Sequence, residues 1–103
     1  MARKIIWENQ ALENIADALE WISKESVQQA EYVEKAILDK IYELPDRPEK
    51  YPPDKFRINN EGSYRAFETH SYRISNKFSD QEIRILRKRH VRQSPIIDLP
   101  RRR

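Results

Sequence analysis

The amino-acid sequence predicts an α+β domain in which a helical hairpin packs on a small, mostly antiparallel sheet, in the order β-α-α-β-β-β. Two consecutive segments of the first half carry apolar residues at helical spacing, which indicates amphipathic helices. The second half carries short β-branched and aromatic runs with the alternation typical of strands. A length of 103 residues leaves room for one domain. We place that domain at residues 1–95 and expect residues 96–103 to form a basic tail.

The chain opens with a predicted strand that is followed closely by a helix. The run Lys4–Trp7 is β-branched and aromatic, as strands are. A helix is predicted from Asn9 to Lys24, and its buried face is expected to contain Leu12, Ile15, Ala16, Leu19 and Ile22. We expect the indoles of Trp7 and Trp21 to pack in the core or in the hairpin.

A second helix is predicted from the spacing of Ser26 and Gln29, which have the form of a capping box. Its apolar stripe contains Ala30, Val33, Ile37, Ile41 and Leu44. Pro45 should end the helix, because proline cannot donate the next helical hydrogen bond. The short connection between the helices predicts an antiparallel hairpin.

From Pro45 to Gly62 the chain is expected to form a loop, since four of its six prolines and its only glycine lie there. We expect Tyr51 and Phe56 to hold this loop against the core.

Three strands are predicted after the loop, over Tyr64–Thr69, Tyr72–Phe78 and Glu82–Arg89, with a turn at residues 79–81. Alternation places Tyr72, Ile74 and Phe78 on one face of the middle strand and Arg73 on the other. The segment 87–89 is expected to be too charged for burial.

Charge is distributed unevenly along the chain. Lys and Arg number 20 against 17 Asp and Glu, a formal net charge of +3. Between Arg84 and Arg92 there are five Arg or Lys residues, one His and no acid, and residues 101–103 are all arginine. This asymmetry predicts a polyanion or an acidic protein as the partner of the C-terminal half. A solvated strand edge that discourages aggregation is the alternative interpretation of the basic run.

Composition also argues against several classes of protein. The absence of cysteine rules out disulfides and thiolate metal sites, and two histidines are too few for a dedicated metal centre. We therefore expect no metal and no cofactor. No apolar run approaches the roughly 20 residues of a membrane span, and no signal-peptide core is evident. We expect a cytoplasmic protein without a membrane partner.

Two parts of the sequence carry a resemblance to a known family. One is the predicted hairpin Ala11–Leu44, with Gln29–Tyr32 in the second helix and a proline at its exit. The other is the series Tyr64–Phe67, Ser71–Ile74 and Ile83–His90. Their order and spacing resemble the RelE/ParE superfamily, the toxins of type II toxin–antitoxin systems. The length of the hairpin is more similar to the ParE branch than to the RelE branch.

The resemblance implies a growth inhibitor that a cognate antitoxin neutralises, but it leaves the target open. ParE-like members poison DNA gyrase without a recognised catalytic site, and the length of the hairpin favours this function. RelE-like members cut messenger RNA on the ribosome, and this metal-independent endoribonuclease activity is the alternative. A plain nucleic-acid-binding domain is a third possibility, which would not explain the family-like order of strands.

For a nuclease, the resemblance implies a set of site residues. His90 would act as an acid or base and Arg73 would hold phosphate, and these two are the candidate catalytic residues. The candidate RNA- and phosphate-binding residues are Arg65, Arg73, Arg87, Arg89 and Arg92. We expect Arg65, Arg73, His90 and Arg92 to share one surface of the sheet.

This set departs from the nuclease pattern of the family. The strand Arg65-Ala66-Phe67 has one cation where RelE-like strands have two, and no tyrosine follows Tyr72. Alternation places the carboxylate of Glu68, a possible base, on the opposite face from Arg65. Arg73 could equally pair with a nearby carboxylate.

Overall fold

A computed structural model describes residues 3–91 of the chain and confirms the predicted α+β order. The elements are β1 (Lys4–Trp7), α1 (Asn9–Ser23), α2 (Val27–Glu43), β2 (Tyr64–Thr69), β3 (Tyr72–Phe78) and β4 (Glu82–His90). The last strand ends one residue later than predicted. The proposed tail 96–103 lies outside the described residues.

The four strands form one sheet in the order β1-β4-β3-β2. β4 is antiparallel to β3, and β3 is antiparallel to β2, whereas β1 runs parallel to β4. The prediction of a mostly antiparallel sheet is therefore confirmed. Because β1 pairs with the last strand, the N-terminal strand closes one edge of the sheet.

The second helix follows its predicted pattern closely. The hydroxyl of Ser26 accepts a hydrogen bond from the backbone N–H of Gln29 at 3.0 Å, which caps the helix. Such a cap contributes about 1 kcal/mol. All five residues of the predicted stripe are buried, from Ala30 to Leu44. The helix ends at Glu43, just before Pro45.

The predicted buried face of α1 is partly wrong. Ala11 and Ala18 are the buried residues of this helix, whereas Leu12 is 48% exposed and Ala16 is exposed. The two alanines lie two helical turns apart, so their small side chains let the helix approach the core closely. Trp21 is 67% exposed, which contradicts its predicted packing role, since its indole lies outside the area covered by α2 and the sheet.

The core lies between the sheet and the two helices. Its most completely buried apolar side chains come from α2 and its C-terminus and from the two central strands: Ile37, Ile41, Leu44, Ile74, Ile83 and Ile85. Each of these contributes roughly 1.5–3 kcal/mol by leaving water. Trp7 is half-buried against this core, as predicted. Within the described part of the chain, no helix is long and apolar enough to cross a bilayer.

A β-bulge in β4 decides which face its basic residues occupy. Ser75 is paired with Arg87 but the next residue, Asn76, is paired with Ile85, so Leu86 is an extra residue in β4. The bulge reverses the alternation of the strand. Ile83 and Ile85 face the helices, and beyond the bulge Lys88 and His90 do so.

Arg87 and Arg89 consequently lie on the outer face, the face of the sheet that points away from the helices. The prediction that segment 87–89 escapes burial holds only in part, because all three side chains are half-buried. Burial lowers the pKa of Lys88, and the charge of Asp17 on α1 opposes this effect.

The proline-rich loop packs on both faces of the sheet. Tyr51 contacts Phe67 with ring centroids 5.2 Å apart, which confirms its predicted packing on the core. The same expectation was wrong for Phe56, whose ring lies on the outer face beneath Arg73 and Arg89. The loop reaches that face because the backbone N–H of Asp54 donates to the carbonyl of Tyr64 at 2.8 Å, alongside the edge strand.

Candidate functional site

Arg65 does not lie on the same surface as Arg73. Its cross-strand partner is Asn76, and cross-strand partners lie on the same face of a sheet. Asn76 is two positions from the buried Ile74, so Asn76 and Arg65 both lie on the helix-facing side. Its guanidinium donates to the carbonyls of Gly62 at 2.7 Å and Tyr51 at 3.0 Å. Arg65 thus ties the middle of the loop and its C-terminal end to the strand edge.

His90 also lies on the helix-facing side. Its ring meets that of its cross-strand partner Tyr72 edge to face, with centroids 5.5 Å apart. Arg73 and Arg89 are paired on the outer face. The expectation that Arg65, Arg73 and His90 share one surface is therefore wrong, because strand alternation separates Arg65 and the bulge at Leu86 separates His90. The fourth member, Arg92, lies outside the described residues.

Arg73 is held by two carboxylates. Its Nη2 lies 2.9 Å from Oδ1 of Asp54, and its Nη1 lies 3.0 Å from Oε2 of Glu68. The Arg73 side chain is 11% exposed and that of Asp54 is 2% exposed. Arg73 is thus paired with nearby carboxylates, which is the alternative that the sequence left open. The guanidinium stabilises the loop by neutralising the buried charge of Asp54.

Sequence reasoning identified Glu68 only as a possible base and missed Asp54. Glu68 is the cross-strand partner of Arg73, so the predicted hairpin register contained the signal for this ion pair. Asp54 is 19 residues from Arg73 in a loop without periodicity, so no comparable signal exists.

Within residues 3–91, Arg57, Arg73, Arg87 and Arg89 lie close together on the outer face, and we call them the arginine cluster. Arg73, Arg87 and Arg89 line a shallow depression together with Asp54 and Ser75. Three of the four were predicted phosphate-binding residues, and the structure brings these three together.

Arg57, from the loop, completes the cluster, and no pattern in the sequence singled it out. Burial lowers the pKa of Arg87, and the like charges of Arg89 and Arg57 lower it further, with Asp54 opposing them.

The opposite side of the molecule has an apolar groove of about 250 Å³. Its walls come from β1, α1 and α2, and it is lined mainly by Trp7, Leu12, Ile15, Ala16, Leu19 and Leu38. Leu12 lies here rather than in the core, which explains its exposure. We call this feature the apolar groove.

A third depression, of about 340 Å³, lies near the start of β4. Three of its charged groups are paired with one another, since Arg84 contacts Glu8 at 2.6 Å and Glu82 at 2.8 Å. The fourth, Lys77, lies over the ring of Tyr64. Across residues 3–91, no group of three or more His or acidic side chains could hold a metal ion. Both carboxylates of this depression are therefore held in ion pairs with Arg84.

Comparison with known proteins defines the family. The family model described as the ParE toxin of the type II toxin–antitoxin system, parDE, matches residues 5–95. The chain belongs to the ParE toxin family. This confirms the predicted RelE/ParE superfamily membership and its ParE branch.

A solved structure agrees with the fold of this ParE-family chain. The chromosomal ParDE toxin–antitoxin system from P. aeruginosa contains a chain that superposes with a TM-score of 0.69 at 15% sequence identity. The match covers 87% of this chain and 97% of that one. No curated protein sequence matches the chain.

Proposed function

We propose that this ParE-family chain inhibits growth by binding DNA gyrase, without cutting RNA, and that a cognate antitoxin neutralises it. One observation carries the proposal: the candidate nuclease residues do not form a composite site. Arg73 is already paired with Asp54 and Glu68, while Arg65 and His90 lie on the other face of the sheet.

The chemistry of RNA cleavage explains why this arrangement argues against a nuclease. Attack by a ribose hydroxyl needs a base, an acid and cationic groups around one phosphate. A phosphate placed on Arg73 would meet the buried carboxylate of Asp54, which repels it at short range. His90 could not reach the same phosphate, because the sheet separates it from Arg73.

The family match supports an antitoxin as the second partner. ParE toxins belong to two-component systems, and the P. aeruginosa relative is described as a ParDE system. The apolar groove fits an amphipathic segment, since its lining is mostly apolar and Leu12 lies at its open side. We assign the groove to the antitoxin.

The proposal is tested by inducing the chain in bacteria and measuring two outcomes in parallel. We expect growth to stop, gyrase-linked DNA breaks to accumulate and messenger RNA to stay intact. The variant His90→Ala should remain as toxic as the natural chain, because His90 does no chemistry in this proposal. Cleaved messages with intact DNA, or loss of toxicity in folded His90→Ala, would instead support the endoribonuclease alternative.

A further inference from the structure

The arginine cluster carries more positive than negative charge. It combines four guanidinium groups from the loop, β3 and β4, and the acidic groups seen among them are Asp54 and Glu68. Both of these carboxylates contact Arg73. Within this set of six side chains, four positive charges therefore meet two negative ones.

Arg87 lies beside two other guanidinium groups of the cluster. Its side chain is half-buried and lies close enough to Arg89 and Arg57 for their charges to lower its pKa. Like charges held close together in a partly buried place repel one another. An anionic partner would relieve this repulsion.

The aromatic rings of this surface suit phosphate contacts better than base stacking. The guanidinium carbons of Arg73 and Arg89 lie 4.8 and 5.2 Å from the centre of the Phe56 ring. That of Arg57 lies 3.8 Å from the centre of the Tyr64 ring, and Nζ of Lys77 lies 5.0 Å from it. Single-stranded RNA binders leave aromatic rings open to bases, whereas cations lie over both rings here. The surface is therefore suited to a sugar–phosphate backbone.

We propose that the arginine cluster contacts the phosphate backbone of duplex DNA, an inference that rests on gyrase, a DNA-bound enzyme, being the target. Arg57, Arg87 and Arg89 make the contacts, and Arg73 positions the loop that carries Arg57. Contacts of this kind are independent of base sequence and weaken steeply with salt.

Glu68 limits the affinity of the arginine cluster for the phosphate backbone. Its side chain is 53% exposed at the rim of the cluster, so its charge faces an approaching phosphate. Replacing it by glutamine removes this repulsion while keeping the shape of the side chain. A gain of affinity in Glu68→Gln cannot result from misfolding, and it should exceed the gain in Glu31→Gln, which changes the net charge equally on α2.

The experiment measures binding of the full chain to a short fluorescent DNA duplex across a range of salt concentrations. Arg87→Gln/Arg89→Gln should bind about tenfold or more weakly, and the slope of log K against log salt should fall by about 2. The control Lys24→Gln/Lys35→Gln has the same net charge, but its changes lie on the helical hairpin. It should bind like the natural chain.

Several outcomes would overturn the proposal. Equal losses in the cluster variant and in the control would show only non-specific attraction to net charge. Unchanged or weaker binding by folded Glu68→Gln would contradict the role of the cluster. Tighter binding of single-stranded RNA than of duplex DNA would assign the surface to RNA. Loss of antitoxin binding without loss of DNA binding in Arg87→Gln/Arg89→Gln would assign it to an acidic protein segment.

A gyrase cleavage assay with the same proteins separates this inference from the proposed function. If the natural chain inhibits gyrase but does not bind duplex DNA, the arginine cluster has another role and the gyrase proposal stands. If the chain binds DNA but does not inhibit gyrase, the proposed target is wrong.

Discussion

Two carboxylates surround the guanidinium of Arg73, and water reaches them to different extents. Asp54 is almost completely buried, whereas half of the Glu68 side chain is exposed. Removing one partner of a buried ion pair leaves an uncompensated charge, while an exposed pair contributes little. Asp54 also accepts a hydrogen bond from the backbone N–H of Phe56 at 3.0 Å, so it orders the loop as well.

At the residue scale, Asp54→Ala should lower the free energy of unfolding by about 3 kcal/mol. The reason is that Arg73 stays buried with only an exposed partner, and the loop loses its anchor. Urea denaturation followed by circular dichroism measures the change. Glu68→Gln is the matched control and should cost less than about 1 kcal/mol. Similar losses in the two variants would contradict the assignment of Asp54 as the main partner.

The turn between β2 and β3 has a backbone conformation that is unfavourable for its two residues. Thr69 and Tyr72 are paired, so His70 and Ser71 form a two-residue turn. Their φ angles are 50° and 71°, a left-handed conformation that asparagine and glycine adopt more easily. The His70 ring lies against Tyr32 of α2, with centroids 5.1 Å apart. This contact ties the turn to the hairpin of helices.

At the element scale, Ser71→Gly should raise the free energy of unfolding by roughly 1 kcal/mol, because glycine adopts positive φ without the steric cost of a side chain. The midpoint of thermal unfolding should rise accordingly. The control Ser23→Gly, in the last turn of α1, should lower it instead. A decrease for Ser71→Gly would mean that the serine side chain stabilises the turn.

For the molecule as a whole, the topology separates two surfaces of different chemistry. The parallel pairing of β1 with β4 brings Trp7 beside α1 and completes the apolar groove on the helical side. The bulge in β4 directs Arg87 and Arg89 to the outer face. The proposed antitoxin site and the proposed DNA-contacting surface can therefore be altered independently.

At this scale, Leu12→Asp should weaken binding of the cognate antitoxin at least about tenfold, since burying a leucine contributes roughly 1.5–3 kcal/mol. Gyrase inhibition and DNA affinity should stay unchanged. Isothermal titration with the purified antitoxin measures the affinity. Trp21→Asp is the control, because its exposed indole lies on the same helix but outside the lining of the groove. Equal weakening in both variants would extend the antitoxin site beyond the groove.

The elements and their order could be predicted from the amino-acid sequence. Apolar spacing indicates which residues of a single helix or strand are buried, so the stripe of α2 and the strands were predictable. The end of α2 was predictable because Pro45 cannot donate the next helical hydrogen bond. Apolar spacing was less informative for α1, where Ala11 and Ala18 are buried against the core and the larger Leu12 lines the apolar groove. Periodicity does not distinguish a core from an apolar surface groove.

Which charged groups meet depends on how the chain folds. A single extra residue, Leu86, reverses the alternation of β4, and nothing in its side chain marks it as a bulge. Asp54 reaches Arg73 across 19 residues of chain through a loop whose course depends on packing. Arg73, Arg87 and Arg89 therefore come together, while Arg65 and His90 lie on the other face. Strand parity and long-range ion pairs depend on pairing between distant segments, which local patterns do not encode.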